Sequence, residues 1–262
     1  MPEGDTVFLA GKTVDRALAG KTLSRTDFRH PALATVDLTG HTVLRVRTVG
    51  KHLFTQFSGD LSLHSHLKMD GSWEVYRSGS RWHHPAHHAR VILAAEDTQA
   101  VGFRVHDLQI LPTDEESRLV GHLGPDLLGP DWDPDEAVRR LAADPDREIG
   151  PALLDQRNLA GVGNLYQAEV CFLLGVTPWT RVSEVDSGKV VALARKLLLA
   201  NAWRYEQSTT GELARGRRNW VYDRTRAGCF RCGGQVLVRT QGHDVQRRPT
   251  WFCRRCQRGP AP

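Results

Sequence analysis

The chain has 262 residues, 40% of them hydrophobic and 25% charged. That balance suits a globular protein with a sizeable core and excludes a disordered or low-complexity one. No run approaches the ~18 apolar residues of a membrane helix, and the start Pro2-Glu3-Gly4-Asp5 lacks the basic-then-apolar pattern of a secretory signal, so a cytoplasmic, non-membrane protein is expected. The net charge of +5 is unevenly spread: residues 215–262 hold twelve arginines against two acids, Asp223 and Asp244, while the rest of the chain has more acids than bases. A basic end on a mildly acidic body points to a polyanionic partner. With no amphipathic basic helix or lipidation signal, nucleic acid fits that charge better than an anionic membrane.

In chain order, Val7, Ala10, Val14 and Leu18 recur at helical spacing, so a helix is expected over 5–19, ended by Gly20. Short alternating or apolar runs follow at 43–49, 53–57, 61–67, 73–76, 90–93 and 100–105, parted by Gly, Asp or Pro turns. Several such strands within ~90 residues argue for a β-sandwich or barrel. Near Leu111 the texture changes, and a polar link leads to helices expected near 134–143, 150–157, 164–174 and 187–204. Cys171, inside an apolar run of the third of these, reads as a core residue. The expected fold class is therefore α+β and multidomain. An N-terminal β-sandwich with a leading helix spans 1–112, a helical domain spans 126–226, and a cysteine-rich unit spans 227–262.

The remaining four cysteines form two knuckles, Cys229-Phe-Arg-Cys232 and Cys253-Arg-Arg-Cys256, twenty residues apart. Each knuckle can point two thiolates at one ion, so one structural Zn2+ held tetrahedrally by Cys229, Cys232, Cys253 and Cys256 is expected. Two disulfides would not persist in a reducing cytosol. The intervening segment has room for a β-hairpin, with Val236–Val238 as one strand and Thr250–Phe252 as the other. So small a unit has little core, and the metal would supply most of its folding energy, ~10–16 kcal/mol in zinc-finger peptides.

Three motifs in order carry a family resemblance: the start Pro2-Glu3-Gly4; Leu153-Leu-Asp-Gln-Arg-Asn-Leu-Ala-Gly-Val-Gly-Asn-Leu-Tyr166; and the four-cysteine unit with Arg248-Pro-Thr-Trp-Phe-Cys253. Together they resemble the formamidopyrimidine-DNA glycosylase/endonuclease VIII family, closer to the bacterial endonuclease VIII side. The resemblance implies a helix–two-turn–helix motif in the helical domain and a C-terminal zinc-finger hairpin. It also implies a base-excision-repair enzyme acting as a monomer on damaged DNA in the bacterial cytoplasm, at the nucleoid when bound. Once Met1 is removed, Pro2 presents a secondary amine; an α-amino group has a pKa of roughly 7.7–8.0, so a neutral nucleophile is available. Attack on sugar C1′ would expel the base and form an iminium, and elimination on the 3′ and then the 5′ side would cut the strand.

By the same resemblance Glu3 is the general acid, and Lys51, in a Gly turn between strands, contacts phosphate or the departing base. Asn164 starts the second helix of the two-turn motif as cap and phosphate ligand, and Gly161 and Gly163 allow a tight turn and close approach to the DNA backbone. Arg248 is a second phosphate contact tied to the second elimination. Met69, in Ser65-His-Leu-Lys-Met-Asp-Gly71, is the expected wedge that replaces the extruded nucleotide, with a buried core methionine as the competing possibility.

Two departures bear on specificity. Thr6 stands where the family usually carries a second glutamate. Val101-Gly-Phe-Arg-Val-His does not match the Arg-Phe pair with which the formamidopyrimidine branch fills the opposite strand, so oxidised pyrimidines are the expected lesions. Two rival functions remain. His83, His84, His87 and His88, with His64 and His66 on a nearby strand, could suggest a metal-dependent hydrolase, although no HExxH helix accompanies them. A non-catalytic zinc-finger DNA-binding relative would keep the basic face without the chemistry.

Overall fold

The structure, a computed structural model, describes residues 2–242 and 247–262. Met1 and the acid Asp244 lie outside the described residues. The chain forms two compact units, Met1–His122 and Leu123–Pro262.

The first unit opens with α1 (Gly4–Leu18). Two four-stranded antiparallel sheets follow, in the orders β1-β6-β7-β5 and β2-β3-β4-β8. Their strands are β1 (Arg25–Phe28), β2 (Val43–Val49), β3 (His52–Phe57), β4 (Leu61–His66), β5 (Ser72–Arg77), β6 (Ala89–Ala95), β7 (Thr98–Phe103) and β8 (Asp107–Pro112). Strand alternation sends Leu53, Phe57 and Leu63 to one face of their sheet, where they join Trp73, Val91 and Leu93 of the other sheet and Val7, Val14 and Leu18 of α1 in one buried cluster. Helix α1 rides close on β2. A Cβ at Gly11 would fall 2.6 Å from Thr48 Cγ2, and Asp15 Oδ1 accepts the Val46 N–H at 2.6 Å.

Six of the strands follow the sequence expectation within a residue or two. β1 and β8 do not appear in it. Both are edge strands, as are β2 and β5, and composition is what sets them apart. The four residues of β1 include Arg25 and Asp27, and β8 ends in Pro112, which an edge tolerates.

In the second unit α3 (Pro134–Ala142) starts at Asp133, whose carboxylate accepts the N–H groups of Asp135 and Glu136, each at 3.0 Å. Next come α4 (Ile149–Leu154), α5 (Asn164–Leu174) and α6 (Ser187–Asn201). Helix α5 is buried almost all round, which marks it as the central helix of the unit. Gly175, at φ +74, ends it. The short α2 (Ser117–Val120) belongs to the first unit.

The hairpin β9 (Leu237–Gln241) and β10 (Arg248–Phe252) pairs from Leu237↔Phe252 to Gln241↔Arg248, so its strands are longer than the sequence suggested. It packs into the second unit. Cys229, Val236 and Cys253 share a buried cluster with Ala168 and Phe172 of α5. No helix among the described residues is long and apolar enough to cross a membrane.

Candidate functional site

Pro2 is half-buried and leads directly into α1. Glu3 is the N-cap residue of that helix, in extended conformation, and its side chain makes no capping bond. It is only 1% exposed, as is Asp5 in the first turn. A carboxylate held out of water at the positive end of a helix interacts favourably with the dipole. Its neighbour in sequence is the residue expected to carry the reactive amine.

Lys51 occupies the second position of the two-residue turn between β2 and β3, where Val49 pairs with His52. Gly50 precedes it at φ +57, the left-handed conformation a glycine-first hairpin turn demands. The β2-β3-β4-β8 sheet has an outer face opposite the sandwich core. On that face His52 lies across from His66, and His66 from Asp107. One row further along, Phe54 lies across from His64, and His64 from Gln109. Deeper still, Glu116 accepts from Arg47 at 2.9 and 2.5 Å, from Gln56 at 2.8 Å and from Ser62 at 2.5 Å. Burial, reinforced by His64 and His66, pushes His52 down to about 3. Burial and the Lys68 ammonium push His66 down to about 4, with a smaller contribution from Lys51. These imidazoles are neutral at physiological pH.

Met69 sits in the β4–β5 turn and is 65% exposed, so the buried-methionine alternative is overturned. Lys68, at φ +51, bends the turn and pairs with Asp107 at 2.8 Å. The histidines His83 and His84 lie in the β5–β6 connection and reach Glu74, at 3.4 and 2.8 Å. They belong to the other sheet from His64 and His66, so the sequence grouping of these residues does not hold. Among the described residues the four-cysteine group is the only set of three or more metal-ligand side chains brought together.

In the second unit the loop between α4 and α5 is stapled from within. Gln156 donates to the carbonyls of Leu154 and Val162, at 2.8 and 2.9 Å, and accepts the Gly161 N–H at 3.0 Å. Gly161 takes φ +108, which only glycine adopts readily. Gly163, not Asn164, is the N-cap residue of α5, and Asn164 is the first helical residue. The expected capping role of Asn164 is therefore corrected. Its amide is directed elsewhere, donating to the Pro249 carbonyl at 2.7 Å. That bond brings Asn164 next to Arg248, which opens β10 with an exposed side chain. Asn164 and Pro249, far apart in sequence, thus meet at the start of α5.

Sequence reasoning passed over Glu169. This fully buried acid of α5 accepts the N–H groups of Trp220, Val221 and Tyr222 at 2.7–2.8 Å and the Thr209 hydroxyl. Burial pushes its carboxyl up. Through it α5 holds the segment that leads into the cysteine unit, and a lone acid in an otherwise apolar helix was the available signal.

The ligand atoms of Cys229, Cys232, Cys253 and Cys256 all lie within 4.8 Å of one another. The Cys229–Cys256 and Cys232–Cys253 sulfurs are 3.9 and 3.6 Å apart. Disulfide sulfurs stand at ~2.05 Å, whereas a tetrahedral ion with Zn–S of ~2.3 Å separates its ligands by ~3.8 Å. The cysteines fit a structural zinc. Cys171 lies apart, buried in α5, and burial raises its thiol to about 12.

A model of the formamidopyrimidine-DNA glycosylase N-terminal domain matches residues 1–124, and one of the formamidopyrimidine-DNA glycosylase H2TH domain matches residues 123–212. A Streptomyces coelicolor protein named probable endonuclease 8 2 is 56% identical over 266 residues, covering 100% of this chain and 96% of its own. A Mycolicibacterium smegmatis protein named DNA-(apurinic or apyrimidinic site) lyase Nei2 is 45% identical over 258 residues, covering 98% and 99%. The fold of wild-type Lactococcus lactis Fpg, solved in complex with DNA containing N7-benzyl-Fapy-dG, matches with a TM-score of 0.79 at 23% identity, over 98% of this chain and 100% of that one.

Proposed function

Since the chain belongs to the formamidopyrimidine-DNA glycosylase family, on its endonuclease VIII side, we propose that it is a bifunctional DNA glycosylase/AP lyase that removes oxidised bases, pyrimidines foremost, through a Schiff base on Pro2. The observation that carries this proposal is Pro2 standing directly before a buried carboxylate, Glu3, at the head of α1. The neutral secondary amine attacks C1′ of the damaged nucleotide as the C1′–base bond breaks with its electron pair leaving on the base. The base takes up the proton that the new ammonium loses, and the resulting aminal becomes an iminium when the C1′–O4′ bond breaks. Glu3 protonates the sugar ring oxygen as the ring opens. Loss of the C2′ proton then expels the 3′ phosphate, and a second elimination expels the 5′ phosphate, leaving a one-nucleotide gap.

Lys51 contacts phosphate beside the reacting sugar, an assignment supported by its position at the tip of the β2–β3 turn. Gly163 and Asn164 bring the start of α5 to the DNA backbone, where the helix dipole favours phosphate. Arg248 adds a second cation beside them. Met69, exposed on its turn, takes the place of the extruded nucleotide. Zinc held by the four cysteines would fix the hairpin that carries Arg248, and no step of the reaction passes through it. Preference for pyrimidines is supported by Phe103, which is 1% exposed and packed among Tyr76, Ile92 and Val101, out of use as an opposite-strand filler.

Incubation with duplexes containing thymine glycol, 8-oxoguanine or an abasic site, with product ends resolved on a sequencing gel, tests the proposal. Gapped products with phosphate at both ends, most abundant for thymine glycol among the base lesions, are expected. Tight, salt-sensitive binding with no strand cleavage on any of the three would instead establish a non-catalytic DNA-binding relative.

A further inference from the structure

Three half-buried or buried histidines share the outer face of the β2-β3-β4-β8 sheet, and their hydrogen bonds have a direction. Gln109 Nε2, which can only donate, lies 3.3 Å from His64 Nδ1. A neutral His64 therefore accepts on Nδ1 and carries its proton on Nε2. That Nε2 lies 2.9 Å from His52 Nδ1, so His52 in turn accepts on Nδ1 and carries its own proton on Nε2. The rings of His52 and His64 are stacked at 5.1 Å, which holds the relay in register. On the facing strand His66 Nδ1 accepts the Lys68 backbone N–H at 3.0 Å, so His66 cannot supply a competing proton to the pair from that nitrogen. The charges around the row are Lys51, the Lys68–Asp107 pair, Glu116 and Arg47, with His122 close to His52.

The relay ends beside the Lys51 turn. His64 is 3% exposed and serves no solvent-facing purpose, but His52 is only half-buried. Among the described residues its Nε2 has no hydrogen-bond partner, so the strand after Lys51 presents one N–H donor of fixed tautomer.

We propose that His52 is a further DNA-contact residue, a neutral imidazole whose Nε2–H donates to a phosphodiester oxygen beside the Lys51 contact, with His64 and Gln109 as positioning residues that set its tautomer. This rests on the DNA glycosylase/AP lyase assignment above. A cation and a neutral donor side by side differ in a measurable way. Each ammonium that neutralises a phosphate adds ~0.7–0.9 to the slope of log affinity against log salt, whereas a neutral donor adds nothing.

The test has two arms. In the first, binding of an abasic-site duplex is measured over a range of salt for the wild type, H52L, H52Q and K51A. H52L is expected to bind about 3–10-fold more weakly, the worth of one hydrogen bond, with the salt slope unchanged. H52Q, which keeps a donor, should stay within about twofold of the wild type, while K51A lowers the slope. In the second, long-range 1H–15N spectra of the free protein at pH 7 should show His52 as the neutral Nε2–H form, and Q109L should turn His52 into a mixture of tautomers.

Wild-type affinity in a folded H52L, a slope that falls as in K51A, or a His52 proton on Nδ1 would each overturn the inference while leaving the enzyme assignment standing. A wild type that fails to bind the duplex would overturn both.

Discussion

The β-sandwich holds Glu3 and Lys51 at the ends of elements whose apolar faces close on a large shared core, from Val7 and Val14 of the helix to Phe57 and Leu63 of the sheet. The hairpin that carries Arg248 has no such core. Its buried cluster draws on Cys229, Val236 and Cys253 and borrows Ala168, Phe172 and Val221 from the rest of its unit. Polar ties make up part of the difference. Gln257 accepts the Cys253 N–H at 2.8 Å and donates to the Val176 carbonyl at 2.7 Å, and Gln241 reaches Glu148 at 2.7 Å and the Pro178 carbonyl at 2.9 Å. One functional region is thus fixed by hydrophobic burial, the other by four thiolates and a few hydrogen bonds. Their geometry should fail under different insults.

The largest effect expected from this contrast is on the hairpin. Stripping the metal, or Cys253→Ala, should remove folding energy on the order of 10 kcal/mol locally. The fluorescence of Trp251 should change and DNA affinity fall, while hydrogen exchange across the sandwich strands stays protected; equal loss of protection in both regions would erase the distinction. Next in size is the chemistry of the first unit. Glu3→Gln or Pro2→Gly should slow strand cleavage by roughly 100-fold or more, with zinc content and DNA binding retained, as single-turnover assays would reveal.

A smaller effect is a pH dependence located in the sandwich. His52 and His66 titrate well below their ordinary 6.5 in the folded chain, so between pH 6.5 and about 3 the unfolded chain binds more protons. Stability is full above that window and falls as pH drops through it. A loss of about 2 kcal/mol for each of the two histidines between pH 7 and 5 is expected from urea melts, smaller in a His64→Gln variant that breaks the row. Smallest is Met69→Ala. An exposed side chain on a turn should change stability by less than about 0.5 kcal/mol yet slow base excision, and unchanged excision would remove Met69 as the wedge.

Much of this architecture could be read before any coordinates, because alternation and helical spacing report burial directly. Helix α5 runs from Asn164 to Leu174 as its apolar run and Gly175 indicate, and the two Cys-x-x-Cys knuckles meet as their spacing requires. Two edge strands, β1 and β8, escaped because β1 is only four residues long and carries Arg25 and Asp27, and β8 begins at Asp107 and ends at Pro112. Asparagine suits a cap position, but the Asn164 amide bonds to Pro249 across the second unit, a contact no local rule contains. The same holds for Glu116 and Glu169, whose partners are distant in sequence. The histidine row is not legible from proximity in sequence, which sets His64 near His83; strand register places His64 opposite Gln109, and a hydrogen bond joins it to His52.

The central claim is that Pro2 is the nucleophile, and borohydride trapping on an abasic-site duplex addresses it most directly. A reduced protein–DNA cross-link that mass spectrometry maps to the Pro2 nitrogen is the predicted result. A cross-link on a lysine, or full strand cleavage by a preparation that retains Met1, would contradict it.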